Sequence, residues 1–298
     1  MIPGRLAIAG ALATATACSL LHPGSDYDDG TAAPAGDASS ADAPPVDDPG
    51  DAGGGRGRDG ALGPVVCPLT DAQAQLCEDF DKLPPLAGWE ARFFAQDGGV
   101  QIEARDAASP PRHLRVRLVE KPPGAVGQNG AQLSTFFQSP ARRIRLELDY
   151  RLDDFAFPAG ATEASGSAFG VQSLVAGAAN VNVQVEVSMS STEIGTARFR
   201  LRVYRGSTLA GGQTFADDQV VLGAWKRLAF VVELAPPDRI FVSVTSGGVA
   251  LVPRAEMPVT IGEGDTWQAR LGGFSGANPT NVRPGMTHDF DDVAVTLE

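Results

Sequence analysis

Residues 180–189 read Asn-Val-Asn-Val-Gln-Val-Glu-Val-Ser-Met, and no other pattern limits the fold of this chain as much. Side chains of an extended strand point alternately to its two faces, so Val181, Val183, Val185, Val187 and Met189 share one side, opposite Asn180, Asn182, Gln184, Glu186 and Ser188. Residues 143–152 repeat the alternation, with Ile144, Leu146, Leu148, Tyr150 and Leu152 against Arg143, Arg145, Glu147, Asp149 and Arg151. Residues 198–203 alternate Arg198, Arg200 and Arg202 with Phe199, Leu201 and Val203. Further strands are expected over 114–118, 225–234, 239–244 and 290–297. Between them stand turn formers such as Pro122-Pro123-Gly124, Gly211-Gly212, Pro236-Pro237-Asp238 and Ser246-Gly247-Gly248. Strands separated by turns rather than by helical segments predict an all-β protein of about 13 antiparallel strands. One apolar and one polar face per strand suits a two-sheet β-sandwich. Only residues 70–76 read as helical.

The chain opens differently. One positive charge at Arg5 precedes an apolar run over residues 6–17, the composition of an export signal. Twelve residues cover about 18 Å as a helix, too short for a hydrocarbon core of about 30 Å. Ala15-Thr16-Ala17-Cys18 resembles the lipobox of bacterial lipoproteins, although Ala15 stands where that family usually has Leu. The resemblance implies removal of residues 1–17, a lipid on Cys18, and anchoring to the cell envelope at the outer membrane or cell surface.

Residues 18–62 form an Ala-, Gly-, Pro-, Asp- and Ser-rich linker with almost no large apolar side chains after Leu21. Such a stretch buries too little surface to offset its ordering entropy, so it is expected to be a disordered spacer. Within residues 19–62, nine aspartates face two arginines, which places −7 of the chain's formal −12 there. A net-negative exported chain does not suit nucleic acid. Residues 63–298 are expected to be one β-sandwich domain. If Cys18 carries a lipid, Cys67 and Cys77 are left as a pair, and in an oxidising compartment they are expected to form a disulfide.

The two ends of the domain carry related motifs. Cys77-Glu78-Asp79-Phe80-Asp81 and Gly88-Trp89-Glu90 stand near its start, and His288-Asp289-Phe290-Asp291-Asp292-Val293 near its finish. With Gly223-Ala224-Trp225 and Leu271-Gly272-Gly273-Phe274, they resemble the concanavalin A-like lectin/glucanase superfamily, and above all the laminin-G-like jelly rolls of bacterial lipoproteins. The resemblance implies that the first and last strands lie side by side and that Trp225 is buried. It also implies a structural calcium ion held by Asp79, Asp81, Asp289 and Asp291 where those strands meet.

The family's functions run from sugar binding and adhesion to glycan cleavage. Its hydrolases carry Glu-x-Asp-x-x-Glu or a version one residue shorter. Here Glu147-Leu148-Asp149-Tyr150-Arg151-Leu152 lacks the third acid. The expected activity is therefore non-catalytic recognition of a polysaccharide or glycoconjugate. Arg143, Arg145, Arg198 and Arg200 would line one concave surface suited to anionic sugars, with Trp89 and Trp267 as aromatic platforms. The alternatives are a glycoside hydrolase or polysaccharide lyase with an atypical site, and an adhesion or scaffold module that binds a cell-envelope protein. His113 and His288 read as loop or strand-edge residues.

Overall fold

The computed structural model describes residues 74–298 apart from 82–85, 87, 94–97, 105, 110, 123–128, 175–178, 236–237, 260–265 and 279–281, all within the unit Gly53–Glu298. The export segment, Cys18, the acidic linker and Cys67 lie outside the described residues.

Among the described residues, fifteen strands, numbered in chain order, form two antiparallel sheets. The eight-stranded sheet runs β13 (Val249–Pro258), β12 (Arg239–Ser246), β11 (Lys226–Ala235), β6 (Arg143–Phe155), β15 (Met286–Leu297), β4 (His113–Leu118) and β3 (Gly99–Glu103), and β1 (Ala74–Glu78) pairs with the second half of β15. The seven-stranded sheet runs β10 (Thr208–Val220), β9 (Ala197–Arg205), β8 (Val181–Ser190), β7 (Glu163–Leu174), β14 (Thr266–Asn278), β5 (Gly130–Gln138) and β2 (Glu90–Phe93). The expected two-sheet sandwich is therefore the observed fold.

The alternating apolar residues face inward from both sheets. Leu146, Leu148 and Tyr150 of β6 meet Phe169 of β7, Val185 of β8 and Phe199 and Leu201 of β9, all essentially inaccessible. Tyr150 is the hub of an aromatic cluster, with Phe199 and Phe290 rings 5.6 Å away and Phe169 at 6.1 Å. Rings at these separations and tilts attract through their quadrupoles in addition to the area they bury.

Three expectations change. Residues 74–76 are strand, not helix: the segment pairs Ala74 with Thr296 and Cys77 with Ala294, and these ladder bonds override a weak local helical preference. The first and last strands do lie side by side, as that register shows. Strict alternation through residues 289–293 fails, because three residues of β15, Asp291 to Val293, span the step that two residues take in β6. Asp292 there has φ of 46°, in the left-handed region that Asp tolerates better than most residues. The resulting bulge turns Val293 into the core with Phe290 and leaves Asp291 and Asp292 adjacent.

Both described histidines are fully buried rather than at strand edges. His288 faces inward, its Nδ1 3.0 Å from the Tyr150 hydroxyl. Burial pushes its pKa down to about 4, against the pull of Asp289, so the ring is neutral at physiological pH.

Candidate functional site

The outer side of the seven-stranded sheet carries the polar halves of its alternating strands, and the register aligns them into rows. One row crosses the strands through Phe136 (β5), Gln268 (β14), Gln172 (β7), Asn182 (β8) and Tyr204 (β9). The next runs through Ser134, Arg270, Gly170, Gln184 and Arg202. A third includes Gln132, Gly272, Glu186 and Arg200. Four inter-strand steps carry a row over roughly 19 Å, the reach of several sugar rings.

Amides dominate the middle of this face. Gln132 and Gln268 are buried in it, and Gln184 and Asn182 are half-buried. Phe136 and Phe274 are 42% and 38% exposed, which places two aromatic rings in reach of a ligand beside the amides. Phe274 leans over Gly130, where a Cβ would come within 2.7 Å of its ring. A small open pocket of about 10 Å³ lies among Gln132, Ser167, Gln184, Arg270 and Phe274.

Glycines shape that pocket. At Gly170 the neighbouring strand approaches closely: a Cβ there would stand 2.6 Å from the Val183 carbonyl. Beside it Arg270 of β14 reaches over β7 and donates to Asn182 Oδ1 of β8. Gly272, at φ of 78°, and Gly273 form a bulge against Ser167, a conformation that favours glycine.

Glu186 and Glu163 of this face are engaged. Glu186 Oε1 accepts from Gln184 Nε2 at 2.8 Å and from the Tyr204 hydroxyl at 3.3 Å, and Arg202 lies 3.6 Å from its other oxygen. Burial and then Glu186 raise the Tyr204 pKa, which opposes formation of a phenolate. Arg200 pairs with Glu163, and Arg198 with Glu193 at 2.9 Å.

Arg143 and Arg145 lie on β6 of the eight-stranded sheet, Arg198 and Arg200 on β9 of the other. Because both sets point outward, they occupy opposite sides of the sandwich and cannot line one surface. Arg143 pairs with Glu298 and Arg145 with Glu147. The tryptophan roles are exchanged. Trp267, expected as a platform, is 1% exposed and donates to the Ala141 carbonyl at 2.8 Å. Trp225, expected to be buried, is half-buried on the outer side of the eight-stranded sheet, where Arg151 stacks 4.8 Å from its ring. Trp89 is half-buried and packs against the core.

The carboxylates expected to share calcium are not equivalent. Asp289 Oδ1 accepts from Arg115 Nε at 2.8 Å, and Oδ2 pairs with Arg151 Nη2 at 2.7 Å. Burial would raise its pKa, but His113, Arg115 and Arg151 outweigh that and hold the carboxyl well below the usual range. A carboxylate held by two guanidiniums has little left for a cation. Among the described residues, no group of three or more His, Cys, Asp or Glu is placed to hold a metal ion.

Asp291 instead accepts from the Ser109 amide at 2.7 Å, and Ser109 Oγ bonds both Asp291 and Asp292. Burial, reinforced by Asp292, pushes the Asp291 pKa up to about 7 against the Ser109 hydrogen bonds. An acid with a raised folded-state pKa binds its proton more tightly when folded. Its contribution to stability is full below the unfolded pKa near 4 and is lost as pH rises through about 7. Asp291→Asn removes that dependence. The variant's thermal midpoint relative to wild type is expected to rise between pH 5 and pH 8, and a constant difference over that range contradicts the assignment.

No protein-family model matches the chain, and no curated protein sequence matches it. Among solved structures it is similar to the endo-β-1,4-glucuronan lyase of the fungus Trichoderma reesei, with 16% identity over 76% of this chain and 96% of that one and a TM-score of 0.49. It is also similar to the cellulose-induced protein Cip1, at 16% identity over 74% and 97% with a TM-score of 0.47. The alginate lyase AlyA1 of Zobellia galactanivorans gives 10% identity over 72% and 96%, again with a TM-score of 0.47.

Proposed function

We propose that the outer face of the seven-stranded sheet binds a polysaccharide without cleaving it, on a concanavalin A-like domain held at the cell envelope by a lipid on Cys18, with Cys67 and Cys77 joined as a disulfide. One observation carries the binding role: a row of side-chain amides, Gln268, Gln172 and Asn182, bracketed by Phe136 and Tyr204. Each amide both donates and accepts, which matches sugar hydroxyls, and aromatic rings beside a few placed polar groups are usual in small-molecule sites.

The same face gives little support to cleavage. Of its described acids, Glu163 and Glu186 are already paired, and Glu90 stands at the far edge on β2, opposite Ser134. Residues 163 and 167 are four apart, and Ser167 stands opposite Glu186. The two acids are thus separated by roughly 13 Å along the strands, beyond the ~5–9.5 Å of glycosidase carboxyl pairs. His113 lies toward the outer side of the eight-stranded sheet beside Asp289, and His288 lies in the core.

Electrophoresis of the protein through gels containing different polysaccharides tests the reading. Retardation by at least one polymer is expected. Unretarded migration through every gel contradicts it and favours a protein-binding surface module. For the anchor, cells are expected to incorporate labelled palmitate into the wild-type protein and not into Cys18→Ser, and label in the variant rejects the lipobox.

A further inference from the structure

We propose that Arg270 forms an anion subsite in this face and takes the carboxylate or sulfate of a charged sugar. The inference rests on the polysaccharide-binding reading and narrows its ligand class.

The argument is one of charge balance. Arg198, Arg200 and Arg202 of the same face each have a glutamate within ion-pair distance. Among the described residues Arg270 has none, and its hydrogen-bond partner is the neutral amide of Asn182. Its Nε is fully buried without a hydrogen-bond partner. Arg270 is half-buried overall, and a partly desolvated guanidinium without a counter-charge is costly, because the protein replaces little of the hydration it removes. Burial lowers the Arg270 pKa to about 10, so the group remains a cation at neutral pH.

The surroundings suit a ligand rather than a missing structural partner. Arg270 lines the open pocket, with the amides of Gln132 and Gln184 and the hydroxyl of Ser167 around it. Gly170 stands opposite Arg270 in the register, and Asn182 holds the far end of the guanidinium. A guanidinium presents paired N–H donors that match a carboxylate or sulfate. The neighbouring amides can take the hydroxyls of the same sugar. The arginines first expected to bind acidic sugars are balanced internally, so the one suited to that task is on β14.

The test compares the full chain, wild type and Arg270→Gln, in gels containing polygalacturonate, dextran sulfate or neutral dextran. Wild type is expected to be retarded by one or both anionic polymers, and which of them retards it identifies carboxylate or sulfate. Arg270→Gln is expected to lose about tenfold or more of that affinity, the scale of a charge-assisted hydrogen bond, while Arg198→Gln, whose arginine is paired with Glu193, loses much less. Equal retardation of wild type and Arg270→Gln, or wild-type binding that ignores polymer charge, overturns the anion subsite while leaving glycan binding intact. Absence of retardation in every gel overturns both. If Arg270→Gln does not fold, the wild-type thermal midpoint decides. Sodium galacturonate is expected to raise it more than galactose at equal concentration and ionic strength, and equal effects overturn the subsite.

Discussion

Asp289→Ala is expected to lower unfolding free energy by about 3–5 kcal/mol at pH 7, the cost of removing one partner from a buried ion pair. The Asp289 side chain is fully buried, and Arg151 is 6% exposed. Arg115 is 23% exposed and recovers part of its hydration when the acid is removed, which places the expectation toward the lower end of the range. Arg151 has less recourse: Trp225 stacks on it, and the Asp106 carbonyl takes both the Trp225 Nε1 donor at 2.8 Å and Arg151 Nη1 at 3.2 Å. The loss tethers β4, β6 and β15 less firmly, since the triad bonds across all three. Because the folded-state pKa of Asp289 is depressed, its contribution is present above the unfolded pKa near 4 and lost as pH falls toward the folded value. The gap between variant and wild type should therefore hold from pH 8 to pH 5 and shrink only in stronger acid. Urea unfolding at several pH values measures it. A difference under 1 kcal/mol at pH 7 would mean that water already compensates the charges.

Phe136→Ala with Gln184→Ala is expected to weaken polysaccharide binding about 30-fold while leaving the fold intact. Loss of an aromatic contact and of one neutral hydrogen bond each costs about 1 kcal/mol, and about 2 kcal/mol corresponds to that factor. Stability should change little, because Phe136 is among the exposed large apolar residues. Glu186, deprived of Gln184, keeps Tyr204 and Arg202. Gel retardation against polymer concentration measures the affinity, and urea unfolding confirms that the fold is unchanged.

The strands with clean alternation were legible in the sequence. Residues 143–152, 180–189 and 198–203 fall within or nearly coincide with β6, β8 and β9, since each has one face in the core and burial demands a period of two. The strands that complete the outer face of the seven-stranded sheet were less visible. β7 reads Glu-Ala-Ser-Gly-Ser-Ala-Phe-Gly-Val-Gln-Ser-Leu, where small residues replace the usual β-branched ones. A bulge also slips its register with β8 between Ser167 and Phe169. Those irregularities belong to the site: Gly170 and Ser167 line its pocket, and Ser167 packs against the Gly272-Gly273 bulge.

The site residues were harder to read than the fold, for a geometric reason. Sequence alternation shows which side chains share a strand face but not which strands share a sheet. Arg143 and Arg198 each sit on an outward face, yet the topology sends β6 and β9 to different sheets. Attention to tryptophan also concealed Phe136, Phe274 and Tyr204. Their outward parity with Gln132, Ser134, Gln268, Asn182 and Gln184 was the signal that could have found them. The acidic finish of the chain suggested a cation site, but alternation could not foresee the bulge at Asp291 and Asp292 or the two arginines on Asp289.

The central claim is that one particular side of the sandwich binds glycan. Its most direct test is a side-by-side titration of wild type, the Phe136→Ala/Gln184→Ala variant and a matched Phe241→Ala/Arg254→Ala variant in gels of whichever polysaccharide retards the wild type. Phe241 and Arg254 stack 3.6 Å apart beside a groove on the outer side of the eight-stranded sheet, so they control for surface loss at the opposite face. Reduced retardation for the first variant alone is the predicted result. Reduced retardation for the second alone would place the ligand on the wrong side of the molecule and contradict the account.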